Sequence, residues 1–177
     1  MQKQHPEFSI RKLDYDDPDT YKMLGQGDTE GVFQLESSGM KQVLVGLQPQ
    51  NLEDVIALIS LYRPGPMDSI PTYLRNRHEP DKISYKTPRL AHILDVTNGC
   101  IVYQEQVMQI FRELAGFSFG QADNVRRAMS KKKHAVMEAE REHFVHGCTE
   151  PGHECPGCVA NGIPEQVANQ IYDEMSS

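Results

Sequence analysis

No stretch of this 177-residue chain approaches about 18 consecutive apolar residues, so the sequence offers no membrane-spanning helix. Its start, Met1-Gln2-Lys3-Gln4-His5-Pro6, has no apolar core and is not expected to act as a signal peptide. Internal repeats and low-complexity tracts are lacking. Positive charge is also scarce: 18 Lys and Arg against 25 Asp and Glu give a formal net charge of −7. That balance argues against a protein that simply coats nucleic acid. A focused basic site stays open, because the local field at a cleft outweighs net charge. No constellation for nucleophilic catalysis occurs. His134 and His143 lie in a charged helical pattern without a serine or cysteine partner, and His92 follows an apolar pattern. With no secretory signal, the four cysteines are expected to be reduced thiols or metal ligands rather than a disulfide framework. A cytoplasmic location is the expectation.

What is present is ordinary globular material, 38% hydrophobic and 24% charged, enough for one domain or one large lobe of a bigger protein. Residues 1–16 read as a polar lead-in. Asp17 is a predicted N-cap with Pro18 at the first helical position, opening a short helix through Leu24. Gly25-x-Gly27-x-x-x-Gly31 only superficially resembles a dinucleotide loop, because Glu30 takes the place of the third glycine; turn glycines are the better reading. The acids Asp14, Asp16, Asp17 and Asp19 read as caps or solvated charge. A short strand is expected at residues 32–35 and a helix at 38–46. Residues 51–62 predict a helix buried on most sides, capped by Asn51, with Glu53 and Asp54 in its first turn. Pro64 ends it, and Arg63-Pro64-Gly65-Pro66 reads as a rigid turn that aims Arg63. Residues 99–103 suggest a brief strand. An amphipathic helix follows over 104–115, with Val107, Met108, Phe111, Leu114 and Ala115 on one face and Gln106, Gln109, Arg112 and Glu113 on the other. Gly116 stops it. Residues 147–162 form a Gly, Pro and Cys-rich loop, and Pro164 starts a last helix whose abrupt end suggests a fragment. The fold class expected is mainly α with a few short strands.

The densest signal is Asp123-Asn124-Val125-Arg126-Arg127-Ala128-Met129-Ser130-Lys131-Lys132-Lys133, with five cations between Arg126 and Lys133 and no acid among them. Residues 119–129 and 131–146 read as two helices, with Ser130 as the N-cap between them. Lys131, Lys132 and Lys133 would then crowd the positive end of a helix, each at a cost of about 0.3–1 kcal/mol. A local rule broken so plainly points to a functional site, and an anion such as phosphate would reconcile it. The competing reading is a solvated basic turn in which Asp123 pairs with Arg126 and Arg127 at i+3 and i+4.

Two further clusters are noted. Tyr103-Gln104-Glu105-Gln106 opens the amphipathic helix; such side chains contact bases, sugars and phosphates, and equally cap backbone groups. Cys148, Cys155 and Cys158, interleaved with His146 and His153, have partial zinc-knuckle spacing. Cys155-Pro156-Gly157-Cys158 supplies one tight pair, and no second pair is present. A structural Zn2+ on Cys148, His153, Cys155 and Cys158 and a reduced flexible loop are both open. Cys100 is alone and expected to be buried.

Taken together, the motifs resemble those of the bacterial replicative DNA polymerase III alpha subunits, family C. The resemblance is carried by Gly27-Asp28-Thr29-Glu30-Gly31-Val32-Phe33-Gln34-Leu35-Glu36-Ser37-Ser38-Gly39-Met40, by Leu61-Tyr62-Arg63-Pro64-Gly65-Pro66, by Tyr103-Gln104-Glu105-Gln106-Val107-Met108 and by the basic segment from Ala122. They occur in the family's order, over roughly residues 15–147 and again around 159–175. The resemblance implies a helical fingers segment over 17–146, an end of the palm in 1–16, an insert loop over 147–163 and the start of a truncated helix over 164–177. It also implies that Arg126 and Arg127 contact the triphosphate of the incoming dNTP. Lys131, Lys132 and Lys133 are assigned more loosely, to phosphate or to the template backbone, and Arg63, a further phosphate candidate, borders the nucleotide pocket with Tyr103, Gln104 and Gln106. Three palm aspartates binding two Mg2+ ions are expected outside this chain, so the fragment alone would be inactive. Primer-template DNA, dNTPs, a sliding clamp and a clamp loader are the implied partners, the last two through regions outside these residues. Two other readings remain: a stand-alone nucleic-acid or nucleotide-binding helical module, zinc-stabilised or not, and a helical domain whose basic turn binds a protein.

Overall fold

The computed structural model describes residues 9–131 and 134–176. The described chain is mainly helical and separates into two compact units, divided between Arg63 and Pro64. The first unit holds α1 (Pro18–Gly25), α2 (Ser38–Leu47) and α3 (Leu52–Leu61). The second holds α4 (Ile70–His78), α5 (Ala91–Leu94), α6 (Gln104–Ala115), α7 (Phe119–Ser130), α8 (His134–His146), α9 (Gly157–Ala160) and α10 (Glu165–Ser176). Among the described residues no helix is long and apolar enough to cross a membrane.

Caps written into the sequence start the helices of the first unit. Pro18 is the first residue of α1, and Asp17 before it accepts the Thr20 hydroxyl. Ser37 Oγ accepts the Met40 N–H at 3.2 Å, opening α2. Asn51 Oδ1 accepts the Asp54 N–H at 2.9 Å, and Asp54 in turn accepts the Gln50 N–H at 2.9 Å, so the two side chains close the start of α3 reciprocally. Gln48 takes the left-handed conformation that ends α2, and its amide donates to Gly25 O at 2.8 Å, tying α2 to the end of α1. Gly39 is there for room: a Cβ on it would lie 2.0 Å from the Tyr62 hydroxyl. On α3, Val55, Ala57, Leu58 and Leu61 are buried while Ile56 is 44% exposed, so the helix is less enclosed than its composition predicts.

Neither expected strand forms, and the reasons are local. At residues 32–35 the backbone turns twice, through Val32 N–H to Thr29 O (3.1 Å) and Leu35 N–H to Val32 O (3.0 Å), with Gln34 at φ 67°. The buried Thr29 hydroxyl donates to Leu35 O at 2.6 Å and locks the loop, leaving Phe33 outside. At residues 101–103 the chain is extended but pairs with a side chain. Gln106 Oε1 accepts both the Val102 and Tyr103 N–H groups at 2.9 Å, which removes the donors that a strand ladder needs. Among the described residues, β pairing is limited to an isolated antiparallel bridge between Cys148 and Cys155.

The core of the second unit is aromatic. Phe111 of α6 contacts Phe117, Phe144 of α8 and Tyr172 of α10, with ring centroids 5.1, 4.9 and 6.0 Å apart. Edge-on and tilted arrangements of this kind favour the ring quadrupoles. The Tyr172 hydroxyl donates to Met137 O at 2.6 Å, so the one polar atom of the cluster is satisfied. Ile110, Leu114, Val125 and Ile171 complete the contact between α6, α7 and α10. Gly116 ends α6 in the left-handed conformation, and two residues later Ser118 opens α7. Ser118 Oγ accepts the Gln121 N–H at 3.3 Å while Gln121 Oε1 accepts the Ser118 N–H at 2.7 Å. This tight corner fixes the direction of α7, and with it the basic segment.

Candidate anion-binding site

The face of α7 follows from helical spacing. Ala122, Val125 and Ala128 are buried, which leaves Asp123, Arg126 and Arg127 on the outward side. Positions i, i+3 and i+4 are neighbours on a helix, and all three side chains meet. Asp123 Oδ1 accepts from Arg126 Nε at 3.0 Å and from Nη2 at 2.7 Å. Asp123 Oδ2 lies 2.8 Å from Arg127 Nη2. Arg126 Nη1 donates to Gln104 Oε1 at 2.8 Å, which joins the start of α6 to α7 across 22 residues of sequence. Arg126 is three-quarters covered and Arg127 is 64% exposed. The Arg126 guanidinium, and then that of Arg127, hold the Asp123 carboxyl below the ordinary carboxylate range, so it is ionised at neutral pH.

The boundary after α7 differs from the expectation. Ser130 is the last residue of α7 rather than an N-cap, and Lys131 follows at the helix C-terminus. The negative pole of the macrodipole lies there, so Lys131 is electrostatically favoured and breaks no local rule. Lys132 and Lys133 lie outside the described residues. Arg63 lies in the first unit, at the end of a tight turn in which its N–H donates to Leu61 O at 2.8 Å.

The side chains at the start of α6 have divided roles. Tyr103 is the half-buried residue preceding the helix, and Gln104 is exposed beside Arg126. Gln106 is 5% exposed and does not lie on the solvated face expected for it. Besides accepting from Val102 and Tyr103, its amide donates to Ile93 O at 3.0 Å and to Thr97 Oγ1 at 2.8 Å. The capping alternative noted for this segment is what Gln106 does in the structure. Helical periodicity cannot reveal such a residue, because it is a polar side chain buried by its own hydrogen bonds. The Gln104–Arg126 contact likewise has no signature in local spacing.

The side chains of the cysteine segment lie apart from one another. Among the described residues no three His, Cys, Asp or Glu side chains converge as ligands. Cys158 is fully buried in the aromatic core and Cys155 nearly so, its Sγ 3.6 Å from His143 O. His153 is exposed, its N–H donating to Glu150 O at 2.9 Å, and His146 lies 3.6 Å from Glu165. Desolvation pushes the Cys158 thiol up to about 12 and raises Cys155. Residues 148–155 form a hairpin closed by reciprocal Cys148 and Cys155 backbone bonds of 2.9 Å, and α9 tucks Cys158 inward. Cys100 is buried as expected, and its thiol is raised to about 11 by the same desolvation. A small cleft beside α7, lined by Phe117, Gln121, Asn124, Glu140, His143 and His153, has no counterpart among the sequence motifs.

Residues 1–152 match the family model of the bacterial DNA polymerase III alpha subunit finger domain. The chain belongs to that family. This finger domain is 49% identical over 166 residues to the DNA polymerase III subunit alpha of Staphylococcus aureus (strain Mu50 / ATCC 700699), covering 94% of the chain and 15% of that relative. It is also 49% identical over 166 residues to the DNA polymerase III subunit alpha of Staphylococcus epidermidis (strain ATCC 12228 / FDA PCI 1200), with the same coverage. The finger domain thus spans about 15% of the length of the curated relatives it matches.

Proposed function

We propose that these residues are the finger segment of a DNA-directed DNA polymerase and that the α7 face binds the triphosphate of the incoming nucleotide. The observation that carries the reading is the outward pair of Arg126 and Arg127, joined through Asp123 and steadied by Gln104 from α6. Guanidinium groups suit phosphate because they present several N–H donors in a fixed plane and stay charged at any relevant pH. In phosphoryl transfer, charge moves toward the leaving pyrophosphate, and cations held ready at that position lower the barrier. Lys131, just past the C-terminus of α7, adds positive charge near this face in sequence, and Lys132 and Lys133 follow it. Gln104 and Tyr103 border the nucleotide, and Gln106 supports them from below. Arg63 is assigned to phosphate through the motif resemblance alone.

In this reading the Mg2+ ions that activate the primer end belong to palm aspartates outside these 177 residues, which by themselves are not expected to polymerise. The complete protein takes primer-template DNA and the four dNTPs, and meets the clamp and clamp loader through other regions. The test is Arg127→Ala in the complete polymerase. The expected result is a loss of about tenfold or more in kcat/KM for every dNTP. Steady-state kinetics unchanged across all four nucleotides would remove the triphosphate assignment while leaving the family membership intact.

A further inference from the structure

We propose that Asp123 is a positioning residue of this site: its single carboxylate sets the guanidiniums of Arg126 and Arg127 side by side, so that they meet one phosphate-bearing ligand as a fixed pair. The inference rests on the reading that those two arginines hold the nucleotide's phosphates. Adjacent helix positions do not face each other, so the two arginine heads are brought together by the Asp123 they share at i+3 and i+4. They are also like charges on long, rotamer-rich stems. The carboxylate resolves both problems by dividing its oxygens. Oδ1 takes Arg126 side-on through Nε and Nη2 at 3.0 and 2.7 Å, and Oδ2 takes Arg127 Nη2 at 2.8 Å. Gln104 anchors Arg126 from a second helix at 2.8 Å. Exposed ion pairs stabilise a fold little, and Arg127 is mostly exposed, so fold stability is a weak reason for this trio. Ordering the two heads before the ligand arrives is a stronger one, since the ligand then need not restrict them. The three groups together keep a net positive charge, so the carboxylate does not cancel the attraction for an anion.

The test uses the complete polymerase on primed template, comparing Asp123→Ala, Asp123→Asn and Asp123→Glu with Arg127→Ala. Asp123→Ala and Asp123→Asn should raise the apparent KM for each dNTP about tenfold, with kcat changed less than about threefold and the thermal midpoint unchanged. Asp123→Glu, which keeps the charge and can still span both partners, should return KM to within about threefold of the starting enzyme. An unchanged or lower KM in Asp123→Ala, with Arg127→Ala still impaired, overturns the positioning role and leaves the phosphate reading in place. So does a lowered thermal midpoint without rescue by Glu, or a fall in kcat as large as the rise in KM. If Arg127→Ala is itself unimpaired, the phosphate reading fails first.

Discussion

The outward face of α7 and the segment from Cys148 to Cys158 belong to the same compact unit and put their reactive side chains to opposite uses. On α7 the small apolar residues Ala122, Val125 and Ala128 pack inward, and Asp123, Arg126 and Arg127 are left at the surface to engage one another. In the cysteine segment the thiols are the inward-facing groups. Cys155 and Cys158 join a core of Phe111, Phe144 and Tyr172, and the histidines nearby turn to glutamates or to solvent. Two clusters with ligand-like composition therefore part company on burial. A charged group kept at the surface can exchange partners with a ligand, whereas a thiol desolvated in an apolar core acts as a small hydrophobe.

The largest expected effect comes from undercutting the support beneath the α7 face. Gln106→Ala removes the acceptor for the Val102 and Tyr103 N–H groups and the donor to Ile93 O and Thr97 Oγ1. Leaving several buried polar groups unpartnered should cost about 3 kcal/mol or more. The unfolding free energy from urea titration measures this directly. A loss below about 1 kcal/mol would mean that water replaces the amide, and that the start of α6 is held by something other than Gln106.

Cys158→Ser tests the other region with a smaller effect. A hydroxyl at a fully buried apolar position should destabilise by about 1–3 kcal/mol. A chelator should leave the unfolding midpoint of the unmodified protein where it was. A midpoint that drops with chelator and recovers with added Zn2+ would favour the structural-zinc reading and erase the contrast between the two regions.

The parts of the fold that could be read in advance are those fixed by residues next to each other in sequence. Asn51, Pro18 and Gly116 mark helix ends through their own backbone and side-chain chemistry, and α1, α3 and α6 fall close to where these signals put them. The expected strands do not form because short, mostly apolar runs at 32–35 and 99–103 carry no information about a pairing partner; Thr29 and Gln106 supply the hydrogen bonds instead. Ser130 has good cap chemistry, yet it is the last residue of α7, and Lys131 benefits from the dipole. At the site, the Asp123 contacts with Arg126 and Arg127 were readable from i+3 and i+4 spacing. The Gln104 contact was not, since it depends on how the Gly116–Ser118 corner folds α7 back along α6.

The smallest effect is confined to alkaline pH and concerns the thiols alone. Burial raises Cys158 to about 12 and Cys100 to about 11, against an ordinary thiol near about 8.5. Because the folded values are raised, folding favours the neutral thiols. The stability tied to them is whole below the unfolded value and is lost as pH climbs from there through the folded values. Unfolding midpoints measured from pH 8 to 10.5 should therefore decline, and a Cys158→Ala, Cys100→Ala double substitution should make that decline shallower. At pH 8, iodoacetamide should label the half-buried Cys148 well before Cys158. Equal labelling rates would place Cys158 in solvent, and the cysteine segment would then resemble the α7 face, with its reactive groups open to a ligand.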